Sequence, residues 1–488
     1  MPWGLRVCVA LLPAALAPAC GPGTAAAPPS APAGTLVDEP CDIPARGPTR
    51  CAWLFVHENR RAPGGRVIPL RIVVLRATGP DPAADPVFLL AGGPGQAASE
   101  LIGWRAAASE ELRATRDLVF LDQRGTGGSN PLTCAFYGPP GDPQSYFGQF
   151  LPPARVRACR AHLERTADLS QYTTANAVDD LDEVRAALGY ERINLIGVSY
   201  GTRLALEYLR QHEPRVRSLV LDGAVRASAR MPENFGAYAQ RALDALLDEC
   251  AADRQCASAF PDIREKARTV FARLADAPAR ATVAHPRGGQ PAEVRLTREH
   301  VAEAVRYMTY TSRDAARVPL YLDRAANGDF SPIAEFLMRW RASGTFDGLY
   351  LSVTCAEDVP FLSRDAERRD GPTYLGGYRV REQRAACAEW PSRPMAEPAR
   401  ADLASAVPAL ILSGALDPVT PPEEAAAVAR SLRSSLHVTI PFAGHSPAGL
   451  RGIECLDALR RAFLDQGSVE KLNTSCIATI SRPGFATR

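Results

Sequence analysis

The stretch Gly197-Val198-Ser199-Tyr200-Gly201 ends one apolar run and opens an amphipathic one. A serine between two glycines at a strand-to-helix turn is held clear of the sheet edge, where its hydroxyl can attack a carbonyl. A serine hydroxyl is a weak nucleophile on its own. It needs a base, a group that orients the base, and donors for the developing oxyanion. Two later segments offer the first two. LILSGALDPVTP carries Asp417 and TIPFAGHSP carries His445, each just after an apolar run. The chain order Ser199, Asp417, His445 suits a serine nucleophile with His445 as base and Asp417 as its orienter. The backbone amide of Tyr200 is one candidate oxyanion donor, and Gly93 in AGGPG is the other, because glycine lets the backbone approach a substrate closely.

These residues need a scaffold that brings strand ends together. VIPLRIVVLRA, PVFLLAGGPG and RDLVFLDQRGTGGSN are apolar runs broken by Pro and Gly, as strands are. In ANAVDDLDEVRAALGY, Val178, Leu181, Val184 and Leu188 have helical spacing, and Gly189 stands at the C-cap. The strand RINLIGV, the helix TRLALEYLRQH and the strand VRSLVLDGA follow. This alternation predicts an α/β fold with a mostly parallel, doubly wound sheet, whose ligands gather at the C-terminal strand ends. From residue 232 to residue 400 helical patterns dominate, with weak strand signals, and predict an inserted helical cap. The sheet pattern resumes in 401–488, so the core comprises 40–231 and 401–488.

With 488 residues, 46% apolar and 23% charged, the chain has the composition of a globular protein large enough for such a core plus insertion. The net charge of +2 and the lack of a basic block argue against a nucleic-acid partner. Residues 1–19 read as a signal peptide, with Arg6 before a short apolar run and small residues before Cys20. Cys20 is placed for lipid acylation, with simple secretion as the alternative, and the Pro/Ala/Gly-rich stretch 20–39 reads as a linker. No later apolar stretch is long enough for a transmembrane span. The expected location is therefore outside the cytoplasm, periplasmic or extracellular. Ten cysteines follow Cys20, an even number that suits disulfides better than metal, and no C-x-x-C pair is present. They allow on the order of 10³ pairings, of which sequential pairing of near neighbours is the simplest.

GGPG, DQRGTGGSN, GVSYGTRLALEYL, LDPVTPP and AGHSP together resemble the proline-iminopeptidase and tripeptidyl-aminopeptidase branch of the α/β-hydrolase serine peptidases. The C-terminal GIECLDALRRAFLDQGSVEKLNTSC is similar to the end of the secreted tripeptidyl-aminopeptidase-like members. The resemblance covers most of the chain after residue 40 and is weakest between 265 and 345. It implies an exported exopeptidase acting at a free peptide N-terminus, with no cofactor and no metal. By motif it carries the triad onto Ser199, Asp417 and His445. The iminopeptidases have a His before Gly-Gly-Pro-Gly where this chain has Ala91, which leans towards the tripeptidyl side. The resemblance also supports the disulfide pairs 41–51, 134–159, 250–256, 355–387 and 455–476. An aminopeptidase must meet a substrate ammonium with a carboxylate. Glu357 and Asp358 in LSVTCAEDVPF are the candidates, and similarity to an acidic stretch of the related peptidases favours Glu357. A carboxylic ester hydrolase on the same fold is the nearest alternative, and a non-catalytic binding protein the remote one.

Overall fold

Among the described residues, the strands are β1 (Leu36–Glu39), β2 (Thr49–His57), β3 (Val67–Leu75), β4 (Val87–Leu90), β5 (Leu118–Leu121), β6 (Ile193–Val198), β7 (Val216–Asp222), β8 (Ala279–Ala284), β9 (Pro291–Leu296), β10 (Ala409–Gly414) and β11 (Ser435–Ile440). The computed structural model describes residues 29–488 apart from 42, 44, 46, 105, 138–140, 285–288 and 397–399. The signal-peptide segment and Cys20 lie outside the described residues. Residues 31–488 form one unit.

Nine strands make one sheet in the order β1-β2-β3-β5-β4-β6-β7-β10-β11. The first four neighbours pair antiparallel, and from β5 to β11 every pairing is parallel. The central parallel strands are the apolar runs seen in the sequence, and they are buried on both faces. Within β4, Phe88 and Leu90 face the helices Thr174–Ala187 and Tyr200–His212. Val87 and Leu89 face the opposite layer, where the helix Glu454–Gln466 packs through Leu456, Leu459 and Phe463. This alternation is the two-residue period of a strand covered on both sides. β1 pairs with β2 from Leu36 onward, so the sheet begins inside the segment read as linker.

Between β7 and β10 the chain leaves the sheet and builds a mainly helical cap around an apolar cluster that includes Leu243, Val270, Val305, Met308 and Leu337 and is shared with Tyr146, Phe147, Leu416, Val419 and Phe485 from outside it. The helices anticipated there form as Phe235–Ala252, Ile263–Asp276 and Arg298–Met308. The cap also contains a hairpin, in which β8 pairs antiparallel with β9. Its buried residues, Ala281 and Val283 on one strand and Val294 and Leu296 on the other, alternate with exposed ones.

Among the described residues five disulfides join Cys41–Cys51, Cys134–Cys159, Cys250–Cys256, Cys355–Cys387 and Cys455–Cys476. These are the near-neighbour pairs that the resemblance supports. Among the described residues no helix is long and apolar enough to cross a membrane.

Candidate active site

Ser199 sits where β6 turns into the helix Tyr200–His212, with φ 56° and ψ −121°. A side chain is strained in that region, and here the turn is enforced by packing on both sides. A Cβ on Gly197 would lie 2.4 Å from the Gly201 carbonyl oxygen, and one on Gly201 would lie 2.2 Å from the Leu90 carbonyl oxygen. Both glycines are therefore required by close backbone approach. The Ser199 amide donates to the Asp222 carbonyl at 2.8 Å, which pins the turn to the end of β7.

Asp417 and His445 follow the ends of β10 and β11. The Asp417 carboxylate is 1% exposed and accepts the amides of Val419 and Thr420 at 2.7 and 2.9 Å and the Thr420 hydroxyl at 2.8 Å. Its Oδ2 lies 2.8 Å from His445 Nδ1. Burial opposes its ionisation, but His445 and these donors outweigh burial and hold the carboxyl below its ordinary range. With Nδ1–H given to Asp417, the imidazole presents Nε2 as a base. Ser199 and His445 each adjoin the same short segment, Asp222-Gly223. Ser199 bonds Asp222, and a Cβ on the next residue, Gly223, would lie 3.4 Å from His445 Cε1.

On the other side of the serine, a Cβ on Gly92 would come within 3.1 Å of Ser199 Cβ. Gly93 follows with φ 108° and a cis bond to Pro94. Tyr200 is the first residue of its helix, so its amide has no partner within the helix by position. Of the two expected oxyanion donors, Tyr200 follows the serine in the chain and Gly93 follows Gly92, the glycine packed against it.

The Tyr200 ring is fixed from behind. Its hydroxyl meets Gln123 Nε2 at 3.2 Å and Thr174 Oγ1 at 2.8 Å. Thr174 in turn donates its amide and hydroxyl to Glu357 at 2.7 and 2.6 Å. Glu357 and Asp358 are 1% and 2% exposed and lie at the C-terminal end of the helix Asp347–Glu357, not on a solvated loop. One guanidinium, Arg203, serves both: it bonds Asp358 at 2.9 and 3.2 Å and lies 3.9 Å from Glu357. Burial raises Glu357 to about 7 against the opposing pull of Arg203 and Thr174. In the DQRGTGGSN segment, Asp122 accepts from Ser99 and Gly128, and Arg124 is bound by Asp180.

The cap reaches the histidine loop directly. Ser446 donates its amide to the Tyr310 carbonyl at 2.8 Å, and Ser312 donates its hydroxyl to the Phe442 carbonyl at 2.7 Å. The Tyr310 ring lies 5.2 Å from the His445 ring, centroid to centroid. Sequence reasoning did not find Tyr310, Thr174, Arg203 or Thr420. Only Thr420 left a signal, since a threonine three residues after an aspartate is placed to bond it locally. A cavity of about 330 Å³ borders the Asp417 loop through Val419 and Thr420, but neither Ser199 nor His445 lines it. Among the described residues, no group of three or more His, Cys, Asp or Glu could hold a metal ion.

The sequence pattern of the alpha/beta hydrolase fold family matches residues 85–449. The chain is similar to serine protease Hip1 of Mycobacterium tuberculosis, 24% identical over 481 residues, which cover 88% of this chain and 88% of that protein. It is similar to carboxylesterase B of the same organism, 26% identical over 461 residues, covering 88% and 86% of the two chains. It also matches a tripeptidyl aminopeptidase of Streptomyces coelicolor, 28% identical over 200 residues, covering 37% and 36%.

Proposed function

Because the chain belongs to the α/β-hydrolase fold family, we propose that it is an exported serine exopeptidase that acts on peptides from a free N-terminus. The observation that supports this reading is Ser199 on its enforced turn together with His445 bonded to Asp417 in the loops that follow β10 and β11. In the proposed reaction, His445 Nε2 takes the proton of Ser199 Oγ as the oxygen adds to the scissile carbonyl. The amides of Tyr200 and Gly93 receive the oxyanion. The tetrahedral species collapses, the C–N bond breaks, and His445 returns its proton to the leaving amine. Water, activated by the same imidazole, then hydrolyses the acyl-enzyme and restores Ser199. Asp417 holds the imidazole in the required tautomer and stabilises its protonated form.

Glu357, with Asp358, is proposed to receive the substrate ammonium. Two buried carboxyl groups share the single guanidinium of Arg203, which hydrogen-bonds Asp358 only, so Glu357, linked to Tyr200 through Thr174, has no hydrogen-bonded cation to favour its charged form. A cation entering there would relieve that imbalance. The protease and aminopeptidase relatives favour a peptide substrate. The relative named carboxylesterase B supports ester hydrolysis as the second reading. Five disulfides suit an oxidising compartment and so support export, with residues 1–19 as signal peptide and Cys20 as a lipid attachment point.

Labelling by a fluorophosphonate, abolished in Ser199→Ala, tests the nucleophile. The peptide reading is tested with a tripeptide arylamide and its N-acetylated twin in wild type and Glu357→Gln. The free amine should be preferred at least about tenfold by wild type, and the variant should lose that preference. Equal cleavage of both forms by wild type would overturn the N-terminal anchor and favour the esterase.

A further inference from the structure

Arg306, in the cap helix Arg298–Met308, is 1% exposed, and its Nε and Nη2 find no hydrogen-bond acceptor among the described residues. A guanidinium stays charged at any physiological pH, so burying one without an anion is costly. The neighbouring acid, Glu303, is already engaged by Arg341 at 2.5 Å. A third buried arginine, Arg379, reaches the hydroxyls of Tyr307 and Tyr350 at 3.5 and 3.3 Å, and its Nε is also without an acceptor. Among the described residues, Arg306 lies over ring faces: Phe235 at 4.2 Å, Tyr310 at 5.4 Å and Tyr307 at 5.6 Å. Ring quadrupoles compensate a desolvated cation only partly.

The position of this cation ties it to the reaction. Tyr310 touches both Arg306 and the His445 ring. Phe235, under the guanidinium, lines the cavity that borders the Asp417 loop. Tyr307 stacks at 4.4 Å on Trp340, which is 36% exposed, so one aromatic row runs from the surface to His445. The two Tyr310 contacts, 5.4 Å from the guanidinium to the Tyr310 ring and 5.2 Å from there to the His445 ring, put Arg306 no more than about 11 Å from His445, which an extended peptide at about 3.3–3.6 Å per residue spans in about three residues.

We propose that Arg306 receives a carboxylate of the substrate, either an acidic side chain within about three residues of the scissile bond or the free C-terminus of a short peptide. The site deepens the exopeptidase reading and rests on it. It is the counterpart of Glu357: one end of the substrate brings a cation to the buried acids, and the other brings an anion to the buried arginine. A carboxylate is the group that fits, because it accepts two parallel N–H bonds from a guanidinium edge. The two unpaired nitrogens, Nε and Nη2, form such an edge.

The test reads the ratio of kcat/KM within matched pairs. One pair is a free-amine peptide with Glu or Gln near the scissile bond, and the other is a short neutral peptide ending in a carboxylate or an amide. Wild type should favour the carboxylate of at least one pair by about tenfold or more, and which pair responds identifies its source. In Arg306→Gln and Arg306→Met that ratio should fall to about one. A ratio unchanged by both substitutions, or near one in wild type, overturns the site. If wild type cleaves none of the peptides but does cleave aryl esters, the peptidase reading fails. The Arg306 site is then judged by the same ratio on an aryl hemisuccinate and an aryl butyrate. If neither variant folds, inhibition of wild type by glutarate against glutaramide decides: stronger inhibition by the dicarboxylate supports the site, and equal inhibition overturns it.

Discussion

At the scale of single residues, the arrangement around Ser199 makes quantitative demands. Replacing Ser199 or His445 by Ala should lower kcat by about 10⁶, as in a known triad enzyme. Asp417→Asn should cost about 10⁴ at neutral pH, because the amide favours the wrong imidazole tautomer. Near-normal turnover in His445→Ala would remove it from the mechanism. Glu357 makes a second demand, on pH. Its carboxyl is raised from an ordinary 4.5 to about 7 in the folded protein, so the folded state binds the proton more tightly than the unfolded one. The stabilisation linked to it is complete below about 4.5 and is lost as pH rises through about 7. Wild type should therefore lose up to about 3 kcal/mol relative to Glu357→Gln between those limits. Denaturant titrations of both proteins at pH 4.5 and 8 measure the difference, and parallel behaviour would show that Glu357 is not destabilised by burial. The proposed triad could be put forward from the sequence because each of its residues closely follows an apolar run. The partners of the buried acids could not. Thr174 is 183 positions from Glu357 and Arg203 is 155 from Asp358, and no local pattern encodes such pairings.

At the scale of elements, backbone proximity sets the site. A Cβ on Gly444 would lie 2.0 Å from the Thr309 carbonyl oxygen, where the cap segment runs against the histidine loop. Gly444→Ala must push the two apart and shift His445. A displacement of about 1 Å of a catalytic group can cost about 10² in rate, so kcat/KM should fall by that order. Wild-type kcat/KM in folded Gly444→Ala would show that the cap does not position the histidine. Gly201→Ala is harsher, because its Cβ would meet the Leu90 carbonyl oxygen on the central strand β4. The central strands were legible because burial on both faces makes them continuous apolar runs. The hairpin β8–β9 showed only weakly, since each strand buries few residues, among them the small Ala281, while charged Arg280, Glu293 and Arg295 fill the alternate positions. A two-residue period over six positions with so little apolar bulk is a faint signal among helical patterns.

At the scale of the whole molecule, the cap and the sheet are joined at the site by buried charge. Glu357 and Asp358 come from the cap, while Thr174 and Arg203 belong to the two helices that cover the sheet, Arg203 four residues after Ser199. The acids are held at the end of their helix by Cys355–Cys387, which ties it to the helix Tyr378–Cys387 that carries Arg379. That disulfide closes a loop with a sequence separation of 32 residues, for which chain entropy gives about 3–4 kcal/mol of stabilisation. Its loss should be felt twice. The double variant Cys355→Ser/Cys387→Ser should be less stable by about that amount, read by denaturant titration. Under conditions where it is folded, its KM for free-amine peptides should rise while kcat changes little, because Ser199, Asp417 and His445 are held by β6, β10 and β11 and their loops rather than by this disulfide. Reactivity of Ser199 towards a small fluorophosphonate should be retained, since that probe needs no ammonium anchor. A fall in kcat and in probe labelling at unchanged KM would reverse the assignment, making the disulfide a support of the nucleophile rather than of the substrate-binding acids.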